Sequence, residues 1–112
     1  MANLDQLNEN RVHDALVFLS NTDLKEAELS GYARELEEGL KSIKSALYLD
    51  ATGTDGIRKA MAEASEEYSS AVREWVAAHV EWKKLNNQRL HEMRVIDLFR
   101  TLEASRRKGN II

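Results

Sequence analysis

Eight of the sixteen Lys and Arg residues fall in the last thirty positions: Lys83, Lys84, Arg89, Arg94, Arg100, Arg106, Arg107 and Lys108. Guanidinium and ammonium groups bind phosphate oxygens by charge-assisted hydrogen bonds, with little dependence on base sequence. Arg89, Arg100 and Arg107 recur at intervals of eleven and seven, near one face of a helix, and Arg106, Arg107 and Lys108 form a terminal cluster. Arg89, Arg94, Arg100, Arg106, Arg107 and Lys108 are therefore the candidate contacts to nucleic acid or to an acidic partner surface. Asp97 and Glu103 interrupt the set, and their spacing predicts pairing with Arg94, Arg100 and Arg107. The plainer alternative is that these cations only complement the negative end of a last helix.

The charge is unevenly distributed. Residues 1–82 hold 8 Lys and Arg against 16 Asp and Glu, a net of −8, whereas residues 83–112 hold 8 against 3, a net of +5. Such asymmetry between segments points to contact with nucleic acid or another acidic surface.

Other chemistry is not supported by spacing. His13, His79 and His91 lack metal-ligand spacing; His91-Glu92 begins like a zinc-protease helix, but Val95 stands where the second His belongs. Asp50 to Gly56 loosely resembles a calcium loop yet lacks the alternating ligands and the closing bidentate Glu. Glu35, Glu37, Glu38, Glu63, Glu66 and Glu67 are interleaved with Lys and Arg on polar faces, and no Ser or Thr sits in a nucleophile elbow or phosphate loop. The sequence thus predicts no catalytic residue, no metal, no cofactor and no small-molecule substrate. Trp75 and Trp82, seven apart, could stack on unpaired bases. They lie, however, in an apolar row with Tyr68 and Leu85 that resumes at Ile96 and Phe99, so a core or subunit seam is the expected role.

These side chains must be positioned by helices. Charged residues make up 31%, aromatics 6%, and Pro is absent, which disfavours sheets and their turns. After an unpatterned, frayed start over 1–9, Val12, Ala15, Leu16 and Leu19 predict a short first helix ended by Ser20 and Asn21. Thr22 predicts an N-cap for a second helix from about Asp23 to Leu49, with the stripe Leu29, Ala33, Leu36, Leu40, Ile43 and Leu47. Gly31 weakens it, and close approach of another helix would explain that glycine. Residues 50–56 must turn. From Ile57 to Lys108 there is neither Gly nor Pro. One helix of that length would reach about 75 Å, too long for a globular monomer. A break is expected near Ser65, whose hydroxyl can cap a new start at Glu66 and Glu67, together with a dimer built on the long helix; the apolar row also lapses at Asn86-Asn87.

The expected fold is therefore all-α: one domain over 1–112, with a short N-terminal helix beside an antiparallel helical hairpin, a long C-terminal helix, coiled-coil-like spacing, self-association, and a frayed end at 109–112. The chain has no Cys, no apolar run long enough for a membrane span, and no basic and apolar leader in Met1 to Asn10, so a soluble cytoplasmic protein without membrane contact is the expectation.

The run Glu92-Met-Arg-Val-Ile-Asp-Leu-Phe-Arg-Thr-Leu-Glu-Ala-Ser-Arg-Arg-Lys108 resembles the last helix of a group of small helical proteins of tailed bacteriophages and prophages. Their genes often lie near those for single-strand annealing recombinases. The resemblance implies an accessory role in phage DNA recombination or replication within the bacterial host, carried at Arg94, Asp97, Arg100, Arg106 and Arg107. The leading expectation is a non-enzymatic accessory protein whose basic C-terminal region contacts nucleic acid or a recombination protein. Two rivals stand beside it: a host-directed inhibitor presenting Glu35, Glu37 and Glu38 as a DNA-like surface, and a purely structural helical oligomer.

Overall fold

A computed structural model describes residues 7–109. Every element in it is a helix: α1 spans Glu9–Asp50, α2 spans Asp55–Ala64 and α3 spans Glu66–Gly109. Within the reach of these residues, none of the helices is long and apolar enough to cross a membrane.

α1 starts where Asn8 Oδ1 accepts the free backbone N–H of Arg11 at 3.0 Å, with Glu9 in the positive first turn. The frayed start expected over 1–9 is thus corrected at its end: Leu7 packs against the buried cluster of Ala15, Val95 and Ile96. The other positions of that stretch, 1–6, lie outside the described residues, as do 110–112 of the expected C-terminal fray.

The short first helix is also corrected. α1 continues through Ser20, Asn21 and Thr22 as one helix of 42 residues. Thr22 caps nothing: its hydroxyl donates to the Phe18 carbonyl four residues back, at 2.7 Å, which keeps the side chain inside the helical ladder.

The turn falls where its residues demand it. Asp50 closes α1 and Gly53 takes a φ of 119°, a conformation that L side chains rarely adopt. Thr54 then caps α2, its hydroxyl accepting from Ile57 N at 3.4 Å. α2 lasts ten residues, and the chain leaves helical geometry at Ser65, with φ −64° and ψ 138°. Ser65 Oγ accepts from Glu67 N at 3.2 Å, so the expected cap opens α3. From there α3 runs 44 residues, straight through Asn86-Asn87.

Two compact units form along the chain. Among the described residues, one joins 7–26 with 84–109, and the other comprises Ala27–Lys83. In the first unit, Ala15, Val95 and Ile96 are buried, with Leu7, Val12 and Leu19 against them. In the second, Ala33, Ala62 and Ala78 are buried, flanked by half-buried Leu36, Leu40, Tyr68 and Trp75. Alanine at the centre lets helices approach closely, and no large side chain among the described residues is fully buried. Each unit therefore has a thin core whose stability rests partly on polar contacts.

The close helix approach expected at Gly31 is not found among the described residues: a Cβ placed on it would meet nothing within 4 Å.

Candidate nucleic-acid interface

Of the candidate contacts, Arg89 is spent internally and Arg106 pairs with Glu103. Arg89 lies in the first unit with only 8% of its surface exposed. Its Nη1 donates to the Leu19 carbonyl at 2.8 Å and to Thr22 Oγ1 at 2.7 Å, and its Nη2 donates to Asp23 Oδ1 at 3.3 Å. The capping residues Thr22 and Asp23 thus serve α3, not a helix boundary: with the Leu19 carbonyl they receive a buried guanidinium whose donors need acceptors. Arg89 is consequently placed away from any exposed phosphate-binding surface, and sequence spacing gave no sign of that.

Arg94, Arg100, Arg107 and Lys108 are exposed, and their side chains make no hydrogen bond or ion pair among the described residues. The pairing expected for Asp97 and Glu103 differs. Glu103 binds Arg106, 2.8 Å away, and Asp97 is exposed without a side-chain partner among the described residues. Arg106, Arg107 and Lys108 occupy the last turn of α3, where the unpaired carbonyls hold negative potential. The helix end thus carries a cluster of solvated cations held on a regular backbone.

Arg11 and Glu92 form a further ion pair of the first unit. Arg11 Nη2 donates to Glu92 Oε1 at 3.0 Å, whereas the buried Oε2 sits 2.7 Å from Nη1 without an aligned hydrogen bond. The bond to Glu92 raises the Arg11 pKa further and fixes Glu92 as a structural partner. His91 and Glu92 line an open depression of about 430 Å³ with Phe18, Asn87 and Gln88.

In the second unit, Trp75, His79 and Trp82 form a ladder with ring centroids 5.6 Å apart at each step. The two indoles are half-buried and border a depression of about 160 Å³ with Ala33, Arg34 and Glu37. Trp75, Trp82 and Tyr68 therefore contribute to the seam within the unit. In the first unit Leu85 and Phe99 are half-buried and Ile96 is buried.

Several polar contacts of the second unit gather around the turn, and others lie along its helices. The Tyr48 hydroxyl donates to Asp55, and that bond, followed by Lys59, holds the Asp55 carboxyl below its usual range while raising Tyr48. Arg58 donates to the Tyr48 carbonyl at 3.1 Å and stacks 4.2 Å over its ring. Lys44 pairs with Glu63 at 2.9 Å, which raises the lysine and lowers the carboxyl. Tyr32 donates to Glu74 at 3.2 Å, a bond that raises the phenol. All these groups are solvated and serve as surface braces. Among the described residues no three His, Asp or Glu side chains converge as metal ligands.

No protein-family model matches the chain. Neither does any curated protein or solved structure.

Exposed guanidinium and ammonium groups at the end of a helix can donate charge-assisted hydrogen bonds to an anion.

Proposed function

We propose that this chain is a non-enzymatic accessory protein that contacts nucleic acid through the basic end of α3, in phage DNA recombination or replication as the resemblance of residues 92–108 implies. The observation that carries this reading is the exposure of Arg94, Arg100, Arg107 and Lys108 without internal partners among the described residues. Solvated cations release counterions on meeting phosphates, which is the main source of sequence-independent affinity. Arg89 drops out of the contact set, and the acidic residues before Lys83 oppose wrapping of a polyanion along the whole chain. In this reading α1 packs against α2 and α3 as an antiparallel helical hairpin, and two copies associate so that each presents a basic helix end.

The experiment is fluorescence anisotropy of labelled single- and double-stranded oligonucleotides, titrated with wild type and with Arg106→Glu/Arg107→Glu. The reading expects binding by the wild type in low salt and at least about tenfold weaker binding by the variant at unchanged helicity. Equal binding by both proteins overturns it. If neither binds, the basic end serves a protein surface instead.

A further inference from the structure

The ladder of Trp75, His79 and Trp82 in the second unit has an open side. The two indoles are half-buried, whereas His79, between them, is exposed. Its ring lies 5.6 Å from each indole, tilted by 33° and 48°, and joins the two into one aromatic surface. From α1, Arg34 and Glu37 border the same depression of about 160 Å³. Both are exposed, three residues apart and opposite in sign, a spacing at which such side chains pair. Here they do not, and neither side chain has another partner among the described residues. That sets Arg34 apart within its unit. Lys41, Lys44, Lys59 and Arg73 each bind a carboxylate, and Arg58 binds the Tyr48 carbonyl. A row of rings thus stands beside one unspent donor group and one unspent acceptor.

We propose that this depression receives one unpaired nucleobase of a single strand. The inference rests on the reading that the chain meets nucleic acid, and adds a site in the other unit and the form of the strand. The face of any base stacks on aromatic side chains. Arg34 donates to a ring nitrogen or carbonyl oxygen on the base edge, and Glu37 accepts from an exocyclic amino group. Cytosine, adenine and guanine carry that amino group and thymine does not, so Glu37 discriminates against thymine. A duplex keeps its bases stacked and paired, and only a single strand can offer one.

Charge favours recognition of the base over the backbone. Residues 27–83 hold 7 Lys and Arg against 11 Asp and Glu, a net of −4, which repels phosphates. A cationic side chain of a peptide also suits indole faces. Arg34, at the same depression, repels it.

Both tryptophans of the chain border the depression, so intrinsic emission reports its occupancy. Wild type is titrated with oligodeoxycytidine and oligothymidine of about ten nucleotides, and with duplex DNA, in salt high enough to suppress phosphate contacts. Oligodeoxycytidine quenches the emission and the duplex does not. His79→Ala weakens that binding about tenfold and Arg34→Gln about threefold, at unchanged helicity, since both side chains are exposed. Glu37→Gln brings the two oligonucleotide affinities to within about twofold of each other. Arg106→Gln/Arg107→Gln keeps the quenching. DNA binding seen by anisotropy with tryptophan emission unmoved, or quenching that His79→Ala and Arg34→Gln both retain, leaves the basic end standing and overturns this site alone. Quenching by an arginine peptide and not by DNA gives the depression to a cationic side chain and likewise overturns it. No DNA binding by either readout removes both readings.

Discussion

Replacing Arg89 by Ala separates a structural cation from a binding one. Its guanidinium makes two short bonds, at 2.8 Å to the Leu19 carbonyl and 2.7 Å to Thr22 Oγ1, from an environment only 8% exposed. A bond involving a charged partner contributes about 1.5–3 kcal/mol net. The third contact, to Asp23, is longer at 3.3 Å and reaches a carboxylate that is 80% exposed, so it adds little. The Thr22 hydroxyl still has the Phe18 carbonyl as its acceptor after truncation, which limits the cost of the orphaned groups. The two short bonds, with the lost packing of the aliphatic stem, put the expected destabilisation at about 3–6 kcal/mol. Arg89→Lys should lose roughly half as much, because one ammonium cannot span both acceptors. Urea unfolding followed by circular dichroism reads this as a lower midpoint at unchanged m. Below the unfolding transition, DNA affinity should stay within about twofold of wild type, since Arg89 is not at the surface. A variant of wild-type stability that has lost DNA binding would refute the assignment and return Arg89 to the contact set.

Gly31→Ala should stabilise the protein by about 0.5–1 kcal/mol, since the added methyl meets open space within a helix; a lower urea midpoint would mean that the site is covered by something else. Gly53→Ala should cost about 1–2 kcal/mol, because its φ of 119° is strained for alanine and the new Cβ would lie 3.2 Å from Ile57 Cγ2; an unchanged thermal midpoint counts against the turn geometry. Asp55 has a folded pKa held below its unfolded value, first by the Tyr48 hydroxyl and then by Lys59, so its contribution is present at neutral pH and fades as pH falls through the folded pKa, below about 4. Asp55→Asn should therefore lower stability at pH 7 and converge with wild type near pH 2, which a pH series of melting curves would show; a constant difference across that range would contradict the linkage.

Periodicity made the helices legible where residues repeat a simple pattern. The turn at 50–56 and the break at Ser65 were readable because glycines, hydroxyls and carboxylates act locally, through their own backbone. The row Tyr68, Trp75, Trp82, Leu85 was readable as a seam because a helix has only one way to place such spacing on one side. Thr22 and Asp23 were misleading for a physical reason: these residue types satisfy either a cap or a neighbouring helix, and only the arrival of Arg89, 67 and 66 residues away in sequence, decides which. Arg89 itself looked like Arg94 and Arg100, since burial depends on the partner helix and not on local spacing. Asp97 and Glu103 illustrate the same limit on a smaller scale, because several cations stand within reach of each and side-chain geometry selects among them.

The most direct test of phosphate contact by the basic end of α3 is the slope of log affinity against log salt for duplex DNA, compared between wild type and Arg106→Gln/Arg107→Gln. Each phosphate contact contributes about 0.9 to that slope, so losing two should flatten it by about 1.8. Two superimposable salt dependences, or an affinity indifferent to salt in the wild type, would contradict the proposed interface.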